Sequence, residues 1–363
     1  MIEIVAWVVL GFAAIQMIVA FINAVFQPKL IEKSTSNDLV SVLIPARNEE
    51  QNIVNLLLDL QHQTYKNLEI FVFDDLSTDR TAELVREMAK YDSRIKLLTS
   101  TSLPEGWLGK NYACNELAKQ AKGKYFLFLD ADVRSEQNLI ALTIAYLQKQ
   151  NMQLLSIFPM QMMHGLGEKM VVPIMNYILQ TLLPLFLVRS SKYASLTAAN
   201  GQFMLFEAEV YQKLQPHKLL KGEKVEDIKT AQFYKKQGFK MACLSNNADV
   251  SCRMYSNYKD SIEGFSKNIV MFFGNSYLLT FAFWLVTTFG FVAILLALPI
   301  KYFWLLAIIT IVTRIFVSFG SNQKSIQNLT LLMPQQINIG IILFKSILNK
   351  KNKQYRWKGR TVE

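Results

Sequence analysis

Tyr125-Phe126-Leu127-Phe128-Leu129-Asp130-Ala131-Asp132 decides how this 363-residue chain folds. Five apolar residues with no polar break read as a strand buried on both faces, and two carboxylates flanking an alanine end it. The same grammar repeats on either side. Val40-Ser41-Val42-Leu43-Ile44 is a short β-rich run stopped by Pro45, and Asn48 to Asn52 open a helix carrying Leu56, Leu57 and Leu60. Glu69-Ile70-Phe71-Val72-Phe73 is a second strand, followed by Ser77-Thr78-Asp79 and an amphipathic helix to Tyr91. Ile95 to Leu98 is a third strand, Lys110 to Ala121 a helix, Lys124 to Leu129 the fourth strand and Glu136 to Lys149 a helix. This alternation predicts an α/β domain with a mostly parallel sheet and flanking helices, its ligands at the carboxyl ends of the strands.

Three strand ends therefore meet on one rim: Pro45-Ala46-Arg47-Asn48-Glu49, Asp74-Asp75-Leu76-Ser77-Thr78-Asp79, and Asp130-Ala131-Asp132. Alternation aims both carboxylates of Asp-Ala-Asp to one side. Hard oxygen ligands there suit Mg2+ or Mn2+, especially when the ion also holds a diphosphate. An isolated Asp-Ala-Asp reads better as a helix-capping turn; a second acidic strand end opposite reverses that preference. Asp74 or Asp75 can accept from a base N–H or a ribose hydroxyl, and Asp79 is assigned to capping. No glycine-rich phosphate loop is present, so phosphates must meet metal, backbone amides or cations such as Arg47 and Lys110. Glu226-Asp227 opens a helix ended by Gly238. Asp227 there is a candidate general base, although a helix N-terminus attracts acids for charge reasons alone.

Composition locates the rest. The chain is 51% hydrophobic and 18% charged, with net charge +11. That is short of the roughly 25% charge of an ordinary soluble domain. Three cysteines without paired spacing exclude a disulfide scaffold, and three scattered histidines exclude a Cys/His zinc site. Ile4 to Phe26 carries no charge over 23 positions, enough for a span, and reads as a retained anchor rather than a signal peptide. Asn268 to Ile300 is a second uncharged run whose start is an approach segment, and Tyr302 to Phe319 returns with Arg314 near its end. A fourth stretch, Ile326 to Phe344, is interrupted by Pro334, Gln335, Gln336 and Asn338 and reads as interfacial or re-entrant. Val171 to Val188, broken by Pro173, Asn176, Gln180 and Pro184, reads as a membrane-lying segment near the site, with a buried core helix pair as the alternative. Lys29 and Lys33 after the anchor place the middle of the chain in the cytoplasm. Residues 345–363 hold seven basic side chains and one acidic, so +6 of the +11 sits in a tail suited to anionic headgroups rather than to nucleic acid.

Ser41 to Glu50, Asp74 to Asp79, Asp130-Ala131-Asp132 and Glu226-Asp227, in that order, resemble the signature of family 2 glycosyltransferases, over roughly residues 40–268. Leu103 to Lys110, Arg253-Met254-Tyr255, Glu263 to Asn268 and Arg356 to Arg360 are similar to its membrane-bound branch associated with carotenoid and hopanoid pathways, which includes diaponeurosporenoate glycosyltransferases. Leu76 departs from the pattern by replacing the usual glycine after Asp-Asp. The Gln-x-x-Arg-Trp motif of processive synthases is absent, which argues for a single sugar transfer.

The resemblance implies a GT-A fold, an inverting mechanism, a nucleotide sugar donor such as a UDP-hexose, Mg2+ or Mn2+ as cofactor, and a membrane lipid or isoprenoid acceptor at the cytoplasmic face of the cell (inner) membrane. Asp74 or Asp75 would hold the nucleoside, with Ala46 and Glu49 lining it and Arg47 beside the donor. Asp130 would contact the sugar or ribose, Asp132 would ligate the metal, and Lys110 would neutralise the diphosphate. Asp227 would be the catalytic base. Glu226, Arg253, Lys267 and His217 are candidates for the acceptor or the diphosphate, with His217 on an exposed loop. The expected division is an anchor at 1–28, a transferase domain at 38–268, a membrane region at 269–348 and a basic tail at 349–363. The alternatives are a polyprenyl-phosphate glycosyltransferase, a processive synthase and a non-catalytic membrane scaffold.

Overall fold

The computed structural model describes residues 1–352, 356–357 and 360–361. They form two compact units. One comprises Pro28–Met160 and Leu185–Cys252; the other comprises Met1–Gln27, Gln161–Pro184 and the described residues from Arg253 onward.

The first unit is built on an eight-stranded sheet: β1 Val40–Ala46, β2 Leu68–Asp74, β3 Ile95–Thr99, β4 Tyr125–Leu129, β5 Val133–Ser135, β6 Leu154–Gln161, β7 Phe203–Glu207 and β8 Met241–Cys252. Their spatial order is β3-β2-β1-β4-β7-β6-β8-β5. β3, β2, β1 and β4 run parallel, as their unbroken apolar character predicts. β7 then runs antiparallel to both β4 and β6. β2 and β4 are buried at every position, and the core on one side of the sheet gathers Val42, Ile44, Leu56, Leu60, Val72 and Leu127. Pro45 lies past the last β1–β4 pair, Leu43 with Phe128, so its missing N–H breaks no ladder bond on that side.

The register fixes the rim. Ala46 pairs with Asp74 and Asp74 with Thr99, while Leu43 pairs with Phe128 two positions before Asp130. The acidic ends of β2 and β4 thus emerge on the same edge, on either side of the β1 end.

In the second unit, Ile2–Val25, Tyr277–Ala297 and Lys301–Gly320 are long and apolar enough to cross a membrane. The 24 residues of the first reach about 36 Å at 1.5 Å per residue. The approach segment expected before the second is a short 3-10 turn, Ile269–Phe273, closed by Gly274 in the left-handed region. The fourth stretch is a short helix, Ser325–Thr330, followed by Leu332–Asn352, with Pro334 tolerated in the first turn.

Within 171–188 Phe186 is exposed, but the helix Pro173–Leu182 is buried from Pro173 through Thr181, in line with the core-helix alternative rather than a segment lying on the membrane. Its polar residues meet partners inside the unit, with Gln180 Nε2 donating to the Gly320 carbonyl at 2.9 Å and Gln16 Nε2 donating to Thr181 Oγ1 at 3.1 Å. Residues 161–184 and 253–268 also belong with the helical unit rather than with the sheet. Of the basic tail, Lys353 and Lys358 lie outside the described residues, while the backbone of Arg356–Trp357 pairs antiparallel with that of Arg360–Thr361.

Candidate active site

The rim begins with two cross-braced loops. After β1, Asn48 takes a left-handed conformation at φ 52°, and after β2 Leu76 does the same at φ 55°. Leu76 thus keeps the backbone form that the usual glycine would supply, at a cost of roughly 1–2 kcal/mol for an L-residue. The bracing is dense. The Asn48 amide donates to Ser77 Oγ at 3.0 Å, Asn48 Oδ1 accepts from the Thr78 amide at 2.8 Å, and the Glu50 amide donates to Asp79 Oδ2 at 3.1 Å. Asp79 also accepts from the Thr81 amide at 3.0 Å, from one position ahead of Arg80, the N-cap of the helix Thr81–Ala89.

Arg47 belongs to this brace. Its Nη1 donates to the carbonyls of Asp75, at 2.5 Å, and Leu76, at 2.9 Å. The guanidinium therefore holds the Asp-Asp loop by its backbone. Ala46 is buried, and its carbonyl accepts the Asp75 amide at 2.8 Å. Glu49, also buried, accepts from Asn52 Nδ2 at 2.8 Å. Asp74 is 7% exposed and, among the described residues, its Oδ1 has no hydrogen-bond partner. A buried oxygen left in that condition is a place for a ligand donor, such as a ribose hydroxyl or a base N–H.

The second half of the rim is an ion cluster around Lys110, at the start of the helix Gly109–Gln120. Lys110 Nζ lies 2.7 Å from Asp130 Oδ1 and 3.4 Å from Glu226 Oε1, and donates to the Gly201 carbonyl at 3.3 Å. Glu226 and Asp227 open the helix Glu226–Lys236, where the dipole favours acids. Asp227 is fixed by two amides: Oδ2 accepts from Gly201 at 3.0 Å and Oδ1 from Ile228 at 2.7 Å.

The charges explain one another. Burial by itself would lower the Lys110 ammonium, but Asp130 and Glu226 outweigh it and hold it well above the usual range. Burial raises the Glu226 carboxyl, with Lys110 opposing and Asp227 adding to the rise. Burial also raises Asp227, opposed by the Ile228 amide, Lys110 and the Gly201 amide, with Asp130 adding to the rise. Three acids crowd one cation, and burial with mutual repulsion keeps Glu226 and Asp227 above the ordinary carboxylate range.

Asp132 sits at the other side of the same turn, its Oδ2 accepting from the Cys252 thiol at 3.4 Å. Cys252 in turn accepts from Gln202 Nε2 at 2.7 Å. Among the described residues, no group of three or more His, Cys, Asp or Glu side chains forms a metal cage. The donor set still fits a hard divalent cation of the kind that takes one or two carboxylates and completes its shell with phosphate oxygens and water.

The structure thus brings together Lys110, Asp130, Glu226 and Asp227, and sets Ala46, Asp74, Asp75 and Asp132 along the same edge. It does not bring in His217, which is 3% exposed rather than on an exposed loop. That ring stacks on Phe128 at 4.9 Å and shares a 2.6 Å hydrogen bond with the Tyr211 hydroxyl; burial, then Lys110, pushes it down to about 3, so it stays neutral. Arg253 and Lys267 lie in the helical unit. Arg253 Nη2 pairs with Glu168 Oε1 at 2.9 Å, and burial lowers the half-buried Lys267 ammonium against the pull of Glu263.

Three contributors escape the sequence reading: Gly201, Gln202 and Cys252. A Cβ on Gly201 would stand 3.0 Å from Lys110 Nζ and 3.2 Å from Glu226 Oε1, so the glycine leaves the space in which the cluster closes. The signal available for it was Asn200-Gly201 before the apolar run Phe203 to Phe206, a turn into a strand.

Known proteins resemble this chain in sequence and in fold. Residues 41–214 match the family described as Glycosyl transferase family 2. A 4,4'-diaponeurosporenoate glycosyltransferase of Staphylococcus haemolyticus is 29% identical over 64% of this chain and 61% of its own length. A UDP-Glc:alpha-D-GlcNAc-diphosphoundecaprenol beta-1,3-glucosyltransferase of Escherichia coli is 38% identical over 31% of this chain and 42% of its own. The chain spans less than two thirds of the length of these curated relatives. A mannosyltransferase of Pyrobaculum calidifontis, solved with GDP-Man and Mn2+, shares the fold with a TM-score of 0.60 at 16% identity, over 96% of this chain and 100% of that one. The chain therefore carries a glycosyl transferase family 2 domain of GT-A fold over residues 41–214, with Glu226 and Asp227 just beyond that limit.

Proposed function

We propose that this protein is an inverting hexosyltransferase that moves one sugar from a nucleotide sugar, a UDP-hexose, to a membrane lipid or isoprenoid acceptor at the cytoplasmic face of the cell membrane. The observation that carries the reading is the placement of Asp227. It is held by the Gly201 and Ile228 amides, beside the Lys110–Asp130 pair, with its carboxyl raised toward the range useful to a base. The relatives' names speak of isoprenoid-type acceptors, and the three apolar helices supply a membrane setting.

In this mechanism the nucleoside docks against Asp74, whose Oδ1 awaits a donor, on the loop that Arg47 braces. Asp130 positions the sugar or ribose. Asp227 takes the proton from the acceptor hydroxyl as that oxygen bonds to the anomeric carbon from the face opposite the diphosphate. The anomeric carbon–oxygen bond breaks and its electron pair leaves on the nucleoside diphosphate, so one displacement inverts the anomer and no covalent enzyme intermediate forms. Lys110 stands ready to exchange its carboxylate partners for the charge growing on the leaving group. A divalent cation held by Asp132 and the donor phosphates would supply further positive charge there.

The test is incubation of the purified chain with labelled UDP-glucose, UDP-galactose, UDP-N-acetylglucosamine and GDP-mannose plus a lipid extract, with mass analysis of the labelled lipid. One product carrying a single added hexose from a UDP donor is expected. A ladder of longer products, or no transfer from any donor, contradicts the reading.

A further inference from the structure

The helical unit contains a cation that the transfer chemistry does not use. Arg314, inside the helix Lys301–Gly320, is 1% exposed and heads the fully buried side chains by size. Its guanidinium lies over the Tyr177 ring, with Cζ 3.9 Å from the ring centroid, and Nη1 donates to Gln335 Oε1 at 2.7 Å. Among the described residues, Nε and Nη2 have no acceptor. Those two nitrogens share one edge of the planar group, the edge that binds a carboxylate or a phosphate with two parallel hydrogen bonds.

Among the described residues of the unit, no acid supplies that partner. The ion pairs of the helical unit among its described residues are Arg253 with Glu168 and Lys345 with Glu263. The partners that do hold Arg314, an amide oxygen and a ring face, are neutral, and an unpaired guanidinium edge in an apolar helix bundle is strongly disfavoured. The position suits a lipid head. Arg314 is six residues from the Gly320 end of a candidate span, about 9 Å along the axis. Tyr177, on which it stacks, and Thr313, its chain neighbour, also line a water-sized crevice with Ala13, Gln16, Ile309 and Thr310, of which Arg314 itself is not a lining residue.

We infer that the Nε–Nη2 edge of Arg314 binds the oxyanion head, a phosphate or carboxylate, of a membrane amphiphile within the helical unit. The binding does not require the transferase reading. If the amphiphile is the acceptor, the inference extends that reading by giving the acceptor a negative charge.

The test reconstitutes the full chain in nanodiscs of dioleoylphosphatidylcholine containing either dioleoylphosphatidylglycerol or oleate at low mole fraction, with retained lipids counted by native mass spectrometry. The wild type is expected to retain one anionic lipid in preference to phosphatidylcholine, and R314Q to lose that preference by tenfold or more at unchanged helix content. Should R314Q fail to fold, R314K keeps the charge but not the fork and is expected to weaken retention threefold to tenfold. The phosphatidylglycerol and oleate arms separate phosphate from carboxylate recognition. A rise in acceptor KM in R314K, with kcat and donor KM unchanged, identifies the bound amphiphile as the acceptor; an unchanged acceptor KM identifies a resident lipid. A wild type without preference for anionic lipid, or an R314Q that keeps the wild-type preference, overturns the inference. Because retention is measured without turnover, its failure is distinct from a failure of the transfer assay.

Discussion

Replacing Asp227 with Asn isolates the proton-accepting step. Asp227 receives the Gly201 and Ile228 amides at 3.0 and 2.7 Å, one on each oxygen. Asn can answer only one of them, and it cannot take a proton. Loss of a positioned general base costs about 10²–10⁴ in rate, or roughly 2.7–5.5 kcal/mol at 1.36 kcal/mol per decade. The assay is kcat with a hydroxyl acceptor, alongside donor binding and thermal melting to show that the site and the fold persist. Donor affinity should change little, because Asp74 and the Arg47-braced loop are untouched. A hydroxyl-acceptor kcat within threefold of wild type refutes the assignment. Full activity confined to a phosphate or carboxylate acceptor, already ionised, would instead support the polyprenyl-phosphate alternative. The pH profile gives a second reading. Burial raises Asp227, and a base must be deprotonated to act, so the acidic limb of kcat/KM should lie above the ordinary aspartate value of about 3.9.

Lys110→Met should lower kcat by about 10²–10³, the range for one electrostatic donor to a leaving charge, and should move that acidic limb to higher pH, since the ammonium opposes the rise of Asp227; a limb that stays in place contradicts the coupling. Gly201→Ala should cost activity more than stability. Its Cβ would press on Lys110 Nζ at 3.0 Å and Glu226 Oε1 at 3.2 Å, so kcat should fall by about tenfold, while unchanged kinetics would mean the cluster shifts freely. Leu76→Val, β-branched at φ 55°, should destabilise the chain by about 1–2 kcal/mol relative to Leu76→Gly in denaturant melts, and equal stabilities would remove the strain argument.

The parallel half of the sheet was legible because strands buried on both faces read as unbroken apolar runs. Leu68 to Asp74 and Tyr125 to Leu129 are buried at every position, and each ends on the acids that mark the rim. The antiparallel half was not. β6 is interrupted by Pro159, and β8 carries Ser245, Asn247 and Asp249, which read as a loop until a partner strand pairs with them. Gly201, Gln202 and Cys252 were hidden with those strands. The helix Pro173–Leu182 misled for the opposite reason. Asn176 and Gln180 look like the wet face of a surface helix, yet the fold buries both. Arg47 looked like a phosphate cation because the sequence cannot show that two carbonyls already hold it.

Asp132→Ala gives the most direct test of the central claim that sugar transfer runs at the acidic rim. Transfer of labelled hexose to lipid is measured for wild type and variant, each with Mg2+ or Mn2+ and with chelator, alongside membrane insertion and thermal melting. The variant should insert and melt like wild type but transfer nothing measurable under either condition, and the wild type should lose transfer with chelator. Unchanged turnover in Asp132→Ala, with or without metal, would contradict it.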